Sequence, residues 1–104
     1  MMRMYAAVIV YEASSSRPGQ DPLFEETVTL LLAESPEHAA EKARAHAEGR
    51  ETSYRNVVGD TITLSFRHLV DVTEVDDPLG DGAEVYTRHF SDYRAYLAVE
   101  PLAS

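Results

Sequence analysis

Between Thr61 and Val75 apolar and polar side chains alternate over most of the run. Ile62, Leu64, Phe66, Val70 and Val72 fall on one parity, and Thr61, Thr63, Ser65, Arg67, Asp71 and Thr73 fall on the other. A helix cannot use a period of two, because its neighbours recur every 3.6 residues, whereas successive side chains of a strand point to opposite faces. The run therefore predicts a long strand with one apolar and one polar face, as in an antiparallel sheet wet on one side. Its length exceeds that of an ordinary strand, so a bend or bulge is expected partway.

Other segments extend the pattern. Met4–Glu12 is apolar on both parities, which suits a strand in the middle of a sheet with both faces covered. Residues 14–22, SSSRPGQDP, are turn and loop chemistry and form a candidate lid or contact loop before a second strand over Phe24–Ala33. Ser35-Pro36-Glu37 marks a helix start: a hydroxyl cap, a proline where no amide donor is needed, and a carboxylate at the positive end of the dipole. The spacing predicts a helix over Pro36–Glu48 ending at Gly49, with Ala39, Ala40, Ala43 and Ala47 as a small buried stripe. Ser53–Val57 predicts a short strand. Ala83–Phe90 predicts another after the turn at residues 76–82. In the tail, Ser91-Asp92 could cap a short helix, but the alternation of Tyr93, Ala95, Leu97 and Val99 favours an edge strand. The expected fold is one α+β domain over residues 1–104. It has an antiparallel sheet of four to six strands, one helix on one face, and the order β-β-α-β-β-β followed by the tail strand.

Composition narrows the function classes. The chain has 104 residues, a common size for a single domain, and a formal net charge of −9. Such a charge repels phosphate backbones and anionic bilayers, and the nine basic residues form no run, so neither nucleic acid nor membrane is an expected partner. There is no cysteine, which removes disulfides, thiolate metal sites and thiol nucleophiles. The first residues lack the long apolar core and cleavage site of a signal peptide, and the cytoplasm is the expected location.

Three polar residues fall in phase with apolar neighbours: Glu12 with Val8 and Val10, Glu26 between Phe24 and Val28, and His68 between Phe66 and Val70. If the strands are regular, all three point inward. Glu26 and His68 are then candidate catalytic residues, a base and an acid in a cavity between sheet and helix, whose burial and mutual charge would shift their proton affinities in opposite senses. The bland alternative is a bulge that turns His68 outward, with the glutamates at strand ends reaching water or an arginine. Tyr86 and Arg88 share one parity of the Ala83–Phe90 segment and, with Glu12, are candidate binding residues, tyrosine being an apolar ring with a polar tip. Four histidines without a chelating spacing predict no metal site, and no phosphate-cradling glycine loop implies a cofactor. The acidic turn DDPLGDG departs from the EF-hand pattern and is expected to be solvated.

Several short stretches together resemble a bacterial family catalogued as a domain of unknown function, number 4288. They are Tyr5-Ala6-Ala7, Leu23-Phe24-Glu25-Glu26, Ala33-Glu34-Ser35, Val70-Asp71-Val72 and Glu84-Val85-Tyr86-Thr87-Arg88. The likeness runs over about residues 4–90 and implies a compact α+β fold, with no activity or cofactor attached.

One short helix can cover only part of such a sheet, so the remaining apolar surface predicts a homo-oligomer or another protein partner. A non-catalytic interaction or accessory module is the first expectation. A small cofactor-free enzyme of isomerase, cyclase or hydrolase type using Glu26 and His68, or a protein binding a small molecule, are the alternatives.

Overall fold

The computed structural model describes residues 1–100 and is α+β. Its elements are β1 (Arg3–Ser15), β2 (Leu23–Ala33), α1 (Pro36–Arg50), β3 (Thr52–Arg55), β4 (Thr61–Glu74) and α2 (Tyr93–Val99). These four strands form one sheet in the order β2-β1-β4-β3, and every neighbouring pair is antiparallel. β1 thus lies inside the sheet, which is why both of its parities are apolar. β2 and β3 are the edges. The loop after β1 is tied down where it leaves the sheet. Ser16 N donates to Thr61 O, Thr61 N donates to Ser16 Oγ, and Arg17 pairs with Asp60 at 2.9 Å.

α1 begins as its local chemistry dictates. Ser35 Oγ accepts from His38 N at 3.1 Å, and Pro36 occupies the first turn. The expected stop at Gly49 does not occur. Gly49 keeps an ordinary negative φ and the helix runs on to Arg50. Arg50 holds that last turn onto the sheet. Its guanidinium lies 4.6 Å from the centre of the Tyr11 ring, and Nη1 sits 3.4 Å from Glu25 Oε1. Ala39, Ala43 and Ala47 are fully buried against the sheet, and Ala40 is half-buried at the margin. Without large side chains the helix lies close to Tyr5, Ala7, Ile9 and Tyr11 of β1, and Leu31, Leu64, Phe66, Leu69 and Val72 close the layer around them. Burying Ile9 completely contributes about 1.5–3 kcal/mol.

β4 departs from strict alternation in two places. Opposite β1, Val8 faces Asp71 and Ile9 faces Leu69, so Val70 is an extra residue. Val10 faces His68 and Tyr11 faces Phe66, so Arg67 is another. Each bulge reverses the parity of the residues beyond it. The side facing α1 consequently reads Leu64, Phe66, Leu69, Val72 rather than Phe66, Val70, Val72. Val70 is half exposed.

Two expected strands are absent among the described residues. Residues 83–90 form no strand: β3 covers β4 only at Thr61–Leu64, and although that side is open beyond Leu64 the Tyr86 hydroxyl ties the segment to Asp71 on the sheet face. The segment instead crosses the sheet face opposite α1. The tail alternation is overridden locally: Asp92 Oδ1 accepts from Ala95 N at 3.0 Å and caps α2. The tail strand expected over residues 91–104 is therefore a helix at Tyr93–Val99, and residues 101–104 lie outside the described residues.

Candidate functional site

The face of the sheet opposite α1 collects nearly everything that the fold does not need. β1 presents Ala6, Val8, Val10 and Glu12 there. Their β2 partners are Leu30, Val28, Glu26 and Phe24, and their β4 partners are Thr73, Asp71, His68 and Ser65. Glu12, Glu26 and His68 therefore do share one face, as their parity suggested, but it is the face away from the helix. The Arg67 bulge puts His68 there by parting it from Phe66, whereas Glu12 and Glu26 reach that face by plain alternation.

Glu26 and His68 occupy one row, both opposite Val10, with β1 between them. Two strand spacings put their backbones roughly 9–10 Å apart. Both are exposed, and among the described residues no cavity between sheet and helix encloses them. Glu12 pairs instead with Arg67, Nε to Oε1 at 3.5 Å.

Residues 83–92 cross this face and cover Ala6 and Val8, which are buried. The anchor is Tyr86, whose hydroxyl donates to Asp71 Oδ2 at 3.2 Å while Thr73 Oγ1 donates to the same oxygen at 3.3 Å. Burial, the adjacent Asp71 carboxylate and that hydrogen bond together push the Tyr86 phenol above the usual tyrosine value of 10.0. Past Tyr86 the chain turns into α2, and a groove of about 680 Å³ opens between α2 and the outer strand β2. Glu26 and Arg88 stand at its polar side, and Phe90, Tyr96 and Val99 supply its apolar wall. Phe90 stacks on Tyr96 at 4.7 Å between ring centres, with Arg88 5.9 Å from the Phe90 ring. The groove thus joins two candidate residues, Glu26 and Arg88, which were expected in separate sites. Phe90 and Tyr96 were not anticipated. The signal for Tyr96 was the Ser91-Asp92 cap, which starts the helix that carries it, whereas Phe90 precedes the cap and had no such signal.

β2 is the other feature of this face. Its even residues Phe24, Val28, Leu30 and Leu32 are 63%, 47%, 40% and 48% exposed. The direction of its backbone follows from two bonds. Val75 N donates to Met4 O, so Met4 turns its carbonyl toward β4 and its neighbours Arg3 and Tyr5 turn theirs toward β2. Their partners Ala33 and Leu31 face β1 in return, which leaves the amides of the even residues pointing off the sheet. Lys42 Nζ, which donates to Leu32 O, confirms the direction. The exposed apolar side chains and the unpaired backbone groups therefore belong to the same residues.

Among the described residues no three His, Asp or Glu side chains converge as metal ligands would, and no helix is long and apolar enough to cross a membrane.

A four-stranded antiparallel sheet with a helix on one face, and a strap and groove on the other, defines a small α+β domain with one partly uncovered sheet face. The chain belongs to the family described as Domain of unknown function (DUF4288), whose model matches residues 4–87. Arg88, Phe90 and all of α2 lie beyond that match. No curated protein and no solved structure matches the chain.

Proposed function

We propose that this protein is a non-catalytic interaction module that binds a protein partner along β2 and the adjoining sheet face. One observation carries the reading: on β2 an apolar stripe and a free hydrogen-bonding edge coincide. An exposed, flat, apolar edge strand pairs with other chains unless something protects it, and soluble domains blunt such edges with proline, lysine or bulges. β2 itself contains none of these, Lys42 of α1 reaches only its Leu32 end, and its register against β1 is unbroken over its whole length. Strand addition supplies main-chain bonds, and the alternating side chains supply selectivity.

The surface area supports the same reading. A folded monomer of 11.6 kDa exposes about 5,800 Å² by the usual scaling. This chain exposes 7627 Å². Its radius of gyration is 16.7 Å, against about 13 Å for a compact domain of this length. A cysteine-free, acidic chain fits the cytoplasm as the compartment of this module.

The test is photo-crosslinking in cells, with a benzoylphenylalanine introduced at Leu30 on the stripe or at Arg44 on the solvent side of α1. Protein adducts at Leu30 and none at Arg44 are expected. Equal yields at both positions, or none at Leu30, overturn the proposal.

A further inference from the structure

Resting on that reading, we infer that the occupant of the β2 edge is a second copy of this chain, paired antiparallel about a two-fold axis at Val28. The two sheets then join into one continuous sheet.

The stripe is complementary to itself in this register. Val28 meets Val28, Leu30 of each copy meets Glu26 of the other, and Leu32 meets Phe24. All of these residues turn their backbone groups outward, and among the groups used for pairing the Leu32 carbonyl already accepts from Lys42 Nζ, so it must share that bond or exchange it for the new strand. Like charges stay apart, since the two Glu26 residues are separated by four residues of strand, about 13 Å.

Charge on the helix side favours the same register. Lys42 is the chain's only lysine, and it reaches past α1 to the carbonyl of Leu32 at the very edge of the sheet. On the α1 side of β2, Glu25 projects, exposed, at the opposite end of the strand, with Oε1 beside Arg50 of its own chain and Oε2 left to a second cation. Antiparallel docking about Val28 brings Lys42 of each copy beside Glu25 of the other, so the pair forms twice. A parallel arrangement brings Lys42 beside Lys42 and Glu25 beside Glu25.

The groove on the other face fits as well. It opens beside Glu26, where this register delivers Leu30 of the second copy to the apolar wall of Tyr96 and Val99. The net charge of −9 on each copy opposes association, but that repulsion is screened beyond about 8 Å at physiological ionic strength.

Because the chain has no cysteine, single substitutions test the register directly. Wild-type protein should sediment as a dimer. Val28→Cys should form a disulfide-linked dimer under mild copper–phenanthroline oxidation, the paired α-carbons being about 5.5 Å apart. Thr52→Cys on the far edge should not, nor should Phe24→Cys alone, whereas Phe24→Cys combined with Leu32→Cys should. Circular dichroism of each variant verifies the fold. A wild-type protein that remains monomeric up to its solubility limit overturns the inference, as does a dimer that crosslinks through Thr52→Cys and not through Val28→Cys. If Leu30 nevertheless crosslinks in cells to a different protein, the interaction reading stands and only the second copy is lost. If it crosslinks to nothing, both fall.

Discussion

The Tyr86 hydroxyl donates to Asp71 Oδ2 at 3.2 Å, and this bond ties the irregular strap of residues 83–92 to the second bulged stretch of β4. Asp71 also accepts from Thr73 Oγ1 and from the amide of Val72, so one half-buried carboxylate organises the bulge and the strap together.

That arrangement makes the strap sensitive to base. Tyr86 has a folded-state pKa above its unfolded value of 10.0, because burial and Asp71 both disfavour the phenolate. Its contribution to stability is fully present below pH 10 and is lost as pH rises through the folded value. A spectrophotometric titration at alkaline pH should contain a late-ionising component from Tyr86. Tyr86→Phe should remove it, and Asp71→Asn should bring it back toward the ordinary range. An unchanged titration in Asp71→Asn would show that Asp71 does not set the proton affinity.

The layer between α1 and β1 should reject added volume. Ala43 is fully buried in one cluster with Ala7, Ile9, Tyr11 and Ala47. Ala43→Leu should destabilise by about 1–3 kcal/mol, since overpacking forces shifts of both helix and sheet. Urea denaturation measures the loss. A stability equal to wild type would mean that the helix stands off the sheet.

Among the described residues, the hydroxyls of Tyr5 and Tyr11 are buried without a hydrogen-bond partner. An unsatisfied buried hydroxyl costs about 1–3 kcal/mol. Tyr5→Phe and Tyr11→Phe should therefore leave stability unchanged or raise it, each ring keeping its packing. A clear loss on thermal denaturation would reveal a hydrogen bond at that hydroxyl.

The cap of α1 should behave as a local device. Ser35→Ala removes the acceptor for His38 N and should cost about 0.5–2 kcal/mol. Ser35→Asp should restore most of that loss, because aspartate accepts the same bond and also favours the positive end of the dipole. Equal denaturation midpoints for Ser35→Ala and wild type would remove the cap from the account.

Where a structural decision rests on neighbours in sequence, it could be read from the residues. Ser35-Pro36-Glu37 started the helix where its chemistry placed it. The apolar character of Met4–Glu12 on both parities marked the inner strand, and the alternation of β4 gave its length and the need for a bulge. Asp92 shows the limit of that approach: its capping side chain and the strand-like alternation after it conflict, and the cap prevailed in a segment that pairs with no strand. The candidate site was legible only as an odd parity. Glu12, Glu26 and His68 were recognisable as misplaced polar residues, but which face they shared was not.

Local periodicity and capping chemistry thus determined by themselves that this chain makes a long-stranded antiparallel sheet with one alanine-faced helix. The tertiary structure decided the rest. A single extra residue at Arg67, and another at Val70, reversed the faces of β4, and no local signal fixes where a bulge falls, because its position depends on the partner strand. The same holds for residues 83–90. Their sequence permits a strand, and β4 has an open side beyond Leu64, but the hydrogen bond from Tyr86 to Asp71 holds the segment on the sheet face, a long-range contact that no local pattern announces.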